Sequence, residues 1–345
     1  MGPLDFSKFK TVKYKYISFF KIQKIVKKIQ ALEKLNPKFQ NFTDLINTEK
    51  KLKKIIGADN VKLKEFKQKF DSCGISFDFE DCTAGNGCGN CIPCRNNAEK
   101  ISFREKILKA LDYENNGKAS LRKVYSRLGL KTCYVCNAQY ALNAVPENRP
   151  AKGTVAVQDR YKAKFQFDHY LPKAKYPALS ISLFNLFPIC SPCNSIKGER
   201  DLGIDFLSSD PNDWDDKFTF KILEKSLTAF LLNQKAMKID FIDKTTYIGM
   251  ESLAKRFDIK GIYNNQIDLI EELIIRKLKY SDTYKGKLTQ SFPNLFHKTS
   301  IDERIELGTY SQNEGIHKRP MSKFIHDIDQ QLTDHFQKEL LKIGN

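Results

Sequence analysis

Two Cys-x-x-Cys pairs constrain this chain more than any other feature. They are Cys133-Tyr-Val-Cys136 and Cys190-Ser-Pro-Cys193, with 53 residues between them. Two intervening residues let both thiolates of a knuckle face one tetrahedral ion, and two knuckles complete a closed, structural four-cysteine zinc site. The gap is too long for a simple ribbon loop, so the spacing predicts a small inserted element whose ends the metal ties together. Four ordinary buried cysteines, or a redox pair, are the alternatives. Disulfides are a poor explanation, because the first residues, MGPLDFSKFKTVKYKY, have no apolar core of a secretory signal.

The insertion gathers a histidine, an aspartate and an asparagine, with a second asparagine just beyond it. Of five histidines, only His169 lies outside the last fifty residues. It directly follows Asp168, after the strand-like KFQF. Asn185 comes sixteen residues later, and Asn194 nine after that, just beyond the second knuckle. The stretches FDHYLPK, FNLFP and CNSIKG, framed by two knuckles, resemble the HNH (His-Me finger) endonucleases. The resemblance runs from Thr132 to Gly198, about a fifth of the chain by the same motif reading. A lone Asp-His would arise by chance; four matches in order are more specific. His169 as a satisfied core histidine is the bland alternative.

The resemblance implies a ββα-metal fold and a reaction. Hydrolysis of an anionic phosphodiester needs a base for water, a cation on the phosphate, and relief of charge on the leaving oxygen. By resemblance His169 is the base and Asn185 holds its ring by a hydrogen bond. Asp168 and Asn194 offer hard oxygens to Mg²⁺ or Mn²⁺, and Lys197 touches phosphate. Many relatives carry histidine where Asn194 stands. The amide form points to magnesium or manganese for catalysis and leaves zinc a structural role.

A second cluster, Cys82, Cys88, Cys91 and Cys94, has a spacing that wraps one zinc in a glycine-rich loop. It resembles the zinc loop of the 7-cyano-7-deazaguanine synthases. The chain has no Ser-Gly-Gly-x-Asp-Ser nucleotide loop, so their activity does not carry over. An iron–sulfur cluster or free thiols are the alternatives here. Either one or two structural zinc ions are therefore expected.

Around these motifs the chain reads as helical. Residues 1–70 form a lysine-rich helical region, with 18 lysines, no arginine and six acidic residues. A break at Pro37 is followed by a restart capped by Thr43 or Asp44 and a stop near Gly57. Residues 71–98 are the cysteine-rich loop, 99–130 a helical connector, 131–200 the nuclease-like core and 201–345 a helical C-terminal region. The fold class expected is α+β: a zinc-buttressed ββα core embedded in a mostly helical chain.

The formal net charge of +17 suits a polyanionic partner, although a lysine-rich proteome gives the same excess. No run of eighteen apolar residues exists, which argues against a membrane span and for a cytoplasmic protein. The resemblance implies a DNA endonuclease, with duplex DNA expected against the ββα helix. Similar stand-alone HNH proteins act as anti-phage effectors beside an ATPase, as in Septu and some retrons. An RNA-cleaving toxin of the same chemistry and a non-catalytic, zinc-stabilised DNA-binding protein are the competing readings.

Overall fold

A computed structural model describes residues 6–35, 37–75, 102–144, 162–163, 165–200, 202, 217–232, 237–244, 250–280, 282–294, 304, 306–310 and 313–343. The described chain is mostly helical, with three two-stranded antiparallel sheets, an α+β arrangement. It divides into two compact units. One takes Phe6–Gly129 and Leu142–Leu202; the other takes Leu130–Ala141 and the residues from 203 onward.

The first unit starts with α1 (Phe6–Ser18), α2 (Ile22–Leu35), the short α3 (Gln40–Thr43), α4 (Glu49–Ile56) and α5 (Asn60–Ser72). In α2 the apolar residues Ile22, Ile25, Val26 and Ile29 recur at helical spacing and are all buried, while its lysines face outward. The cap of α4 differs from the sequence expectation. Thr48 caps it by accepting from Lys51 N at 3.3 Å, and Gly57 closes it. Thr43 does not serve, because it is itself the last residue of α3, with its hydroxyl donating back to the Phe39 and Gln40 carbonyls, and α4 starts only at Glu49.

Next come α6 (Phe103–Leu111), a π-helical turn (Tyr113–Gly117) and α7 (Lys118–Leu128). Asp112, at φ 55°, separates α6 from the turn. The unit then adds β1 (Asn143–Ala144), β2 (Lys162–Ala163), β3 (Gln166–His169), β4 (Leu186–Ile189) and α8 (Ser191–Lys197). Strands β3 and β4 are antiparallel, with Asp168 opposite Phe187 and His169 opposite Leu186. Gly198 ends α8 with φ 57° and ψ −137°, a backbone shape that side chains disfavour.

The N-terminal helices are the scaffold under the hairpin. Phe9 packs on Phe184, Phe187 and Tyr125 at ring separations of 5.4, 6.1 and 6.0 Å. The segment joining β3 to β4 is buried almost throughout, so its backbone polar groups need protein partners. Tyr16 Oη donates to Ile181 O at 3.0 Å, and Ser182 Oγ donates to Ile55 O at 2.7 Å. Tyr176 Oη donates to Asp71 at 2.8 Å.

In the second unit, β5 (Phe218–Ile222) pairs with β6 (Ile239–Asp243), and α9 (Glu224–Leu231) joins them. The helices α10 (Met250–Arg256), α11 (Ile259–Asn264), α12 (Ile267–Lys279), α13 (Asp282–Ser291) and α14 (Ser322–Ile343) follow. Phe220 meets Phe324 and Tyr263 at 5.4 and 4.4 Å. Along β5, α14 supplies side chains where a further strand would supply backbone. Asp327 accepts from Phe220 N, and Gln331 both accepts from Ile222 N and donates to Ile222 O. The Cys133–Cys136 knuckle belongs to this unit, where Cys136 O accepts from Tyr263 Oη at 2.7 Å. His317, one of the C-terminal histidines, is buried and bonded to Thr132.

Candidate functional site

The four knuckle cysteines come together. Their sulfur atoms all lie within 4.8 Å of one another, all four residues are buried, and none is in a disulfide. Zinc–sulfur bonds of about 2.3 Å place tetrahedral thiolates roughly 3.8 Å apart, so this set has the dimensions and chemistry of a structural zinc site. The other cluster, Cys82, Cys88, Cys91 and Cys94, lies outside the described residues.

β3, β4 and α8 position the remaining candidates. Asp168 and His169 end β3, Asn185 directly precedes β4, and Asn194 and Lys197 sit one turn apart on α8. Asp168, His169, Asn194 and Lys197 all line one cavity of about 450 Å³. Asn185 is fully buried and does not line it.

The His169 ring is fixed by a carbonyl. Nε2 lies 3.1 Å from Ser180 O. A carbonyl only accepts, so Nε2 carries the proton and Nδ1 carries the lone pair. The ring of Tyr113 packs 5.0 Å away. His169 is 7% exposed. Burial lowers its pKa to about 3, with Lys173, Lys197 and Lys118 adding repulsion, although the Ser180 bond opposes the shift. The imidazole is therefore neutral at physiological pH, with a lone pair on Nδ1 that such a low pKa makes only weakly basic.

Asn185 does not hold the ring as the sequence reading expected. Its Oδ1 accepts from Leu171 N at 2.7 Å, and its Nδ2 donates to Leu171 O at 3.1 Å and Leu179 O at 3.0 Å. All of these bonds go to the backbone of the segment that carries Ser180. Asn185 thus positions His169 indirectly, by shaping the loop that presents the carbonyl.

Lys197 also departs from expectation. It is 1% exposed, and its ammonium sits 2.9 Å from Asp168 Oδ1 and donates to His169 O at 2.9 Å. A buried carboxylate needs such a partner, because an uncompensated charge in the interior is very costly. Asn194 is half-buried, and its Nδ2 donates to Gln166 Oε1 at 2.5 Å, which leaves the amide oxygen as its hard donor.

Other cavity residues escaped the sequence reading. Tyr113 comes from the π-helical turn, Lys118 and Arg122 from α7, and Lys173 from the loop after β3. The four-residue spacing of Lys118 and Arg122 is a signal for one shared helix face, but nothing local says what that face meets. Compared with known protein families, curated proteins and solved structures, the chain gives no significant match.

Proposed function

We propose that this chain is an HNH-type, metal-dependent endonuclease that hydrolyses DNA phosphodiester bonds. The observation that carries the reading is the joint placement of Asp168, His169 and Asn194 on a ββα unit around one cavity. A neutral imidazole with its proton on the far nitrogen is the required form of a general base. Lysines around it have the sign needed for phosphate, and an anion entering the cavity offsets their repulsion and raises the basicity of His169.

The donor set suits a hard divalent cation. Asp168 and Asn194 would hold Mg²⁺ or Mn²⁺ by carboxylate and amide oxygens, with the open cavity leaving room for water and phosphate oxygens. Such an ion supplies charge to the scissile phosphate. Lys197 orients Asp168 and balances its charge, as partners of metal ligands commonly do. Zinc held by the four cysteines would brace the fold and take no part in chemistry. Asn185, through the loop, and Ser180, through its carbonyl, keep His169 in one tautomer and one aim.

The reading includes a role as an effector that needs a partner ATPase for control, which rests on the resemblance alone. Zinc-loaded protein incubated with supercoiled plasmid, with and without added Mg²⁺ or Mn²⁺, tests the activity. Nicking that needs the divalent ion and disappears in His169→Ala supports it. Binding without any cleavage, unchanged by His169→Ala, leaves a zinc-stabilised DNA-binding protein; cleavage confined to tRNA leaves an RNA-directed toxin. Vigorous unregulated cutting by the protein alone removes the ATPase partner from the reading.

A further inference from the structure

We propose that the cavity takes an unpaired nucleic-acid strand, with phosphates on Lys118, Arg122 and Lys173 and bases on Phe165 and Phe167. This rests on the nuclease reading and names its substrate class.

One wall of the cavity is cationic. Lys118 and Arg122 lie one turn apart on α7, and Lys173 faces the same cavity from the loop after β3. Two of these cations are held in place. The ammonium groups of Lys118 and Lys173 each sit 5.4 Å from the centre of the Tyr113 ring. Glu114 pairs with Lys118 and, at 3.6 Å, with Lys173. One ring and one carboxylate, both from the π-helical turn, therefore fix two lysine heads. Such turns recur at functional sites. A lysine already ordered loses less freedom on meeting a phosphate than a mobile one.

The floor of the cavity is aromatic. Strand period two puts Phe167 on the face of β3 that carries His169, and Phe165 directly precedes the strand. Both phenylalanines line the cavity, both are half-buried, and their rings meet edge-on at 5.0 Å. Half-open rings beside a row of cations are the signature of single-strand binding, in which bases stack on aromatics and the backbone follows the charge. A base inside a duplex is already stacked on both faces and cannot use them. Recession points the same way. Asp168 and His169 are 5% and 7% exposed, so the scissile group has to come down into the cavity. An unpaired strand bends into such a recess easily, whereas a stiff duplex has to be deformed first.

Fluorescence anisotropy on zinc-loaded, full-length His169→Ala protein, without added magnesium, tests this. The probes are a labelled oligothymidylate and a duplex of the same length. The oligothymidylate should bind about tenfold more tightly or better, and Phe165→Ala should weaken it about tenfold, the typical effect of one lost stacking platform. Phe165→Leu keeps an apolar side chain and removes the ring, so it should show the same loss if the alanine variant folds poorly. Lys118→Gln and Arg122→Gln should each reduce the slope of log affinity against log salt by about 0.7, the value for one phosphate on a single strand. Lys255→Gln, on α10, should change nothing. Equal or tighter binding of the duplex, or indifference to both Phe165 variants, overturns the proposal. If duplex is bound under those results and the unsubstituted protein nicks plasmid with Mg²⁺, only the substrate class falls; if neither probe binds and the unsubstituted protein cuts no plasmid, the nuclease reading falls with it.

Discussion

Replacing Lys197 with methionine separates the site's electrostatics from its packing. The methionine fills much of the same volume but leaves Asp168 without its ammonium partner. The pair is 1% and 5% exposed, so water from the cavity takes over little of the lost role. Removing one member of a buried ion pair costs about 3–5 kcal/mol, because the other charge is left in a poorly solvated interior. A surface pair would cost about 0–1 kcal/mol. At about 2–4 °C per kcal/mol for a unit of this size, the melting temperature should fall by roughly 6–20 °C. Circular dichroism during urea and thermal unfolding of zinc-loaded protein, without magnesium, measures both quantities. The double variant Asp168→Asn with Lys197→Met should recover most of the loss, since neither charge then remains. Magnesium should also restore the single variant, by about 2.7 kcal/mol at a hundredfold excess over its dissociation constant. A loss under about 1 kcal/mol in Lys197→Met, the value of an exposed pair, would refute the burial argument and the assignment of Lys197 as the carboxylate's partner.

Other outcomes are expected from the same geometry. His169→Ala should lower cleavage by several orders of magnitude with nucleic-acid binding intact, read as kcat against Kd. Cys190→Ser should reduce zinc content by elemental analysis and destabilise the fold, as loss of a structural metal does. Asn185→Ala strands the Leu171 amide, and the carbonyls of Leu171 and Leu179 lose a donor; an unsatisfied buried group costs about 1–3 kcal/mol, so urea unfolding should show a loss of at least that size. Burial alone would raise the Asp71 pKa, but hydrogen bonds from Lys67 and Tyr176 outweigh it and the pKa is lowered. A depressed carboxylate stabilises the fold above its unfolded pKa and loses that contribution as pH falls through the folded value. Asp71→Asn should therefore unfold with a flatter acid limb below about pH 4, measured as urea midpoint against pH, and by less than about 1 kcal/mol because the pair is part-exposed.

Sequence by itself determined what is local. Ligand chemistry follows from residue type, so two Cys-x-x-Cys pairs specify a metal knuckle before any fold is known. The strand ending at Asp168-His169 was legible because KFQF favours extended backbone, and the buried stripe of α2 because its spacing follows the helical repeat. The place of the α4 cap was not, since Thr43 is a good cap by type and only the fold shows that it ends α3 and that α4 starts after Thr48.

Tertiary structure decided which partner each polar group meets. Asn185 was expected on the imidazole, yet the nearest unsatisfied groups are loop amides and carbonyls, and it serves those. Lys197 was expected at a phosphate, yet the buried Asp168 carboxylate holds it inside. The cations of α7 reach the cavity only because α6, a π-helical turn and α7 pack against a hairpin some fifty residues further along the chain. Spacing reveals which residues share a face of one element. Which faces meet is set by the burial of apolar surface and the pairing of every charge that burial encloses, and those are properties of the whole fold.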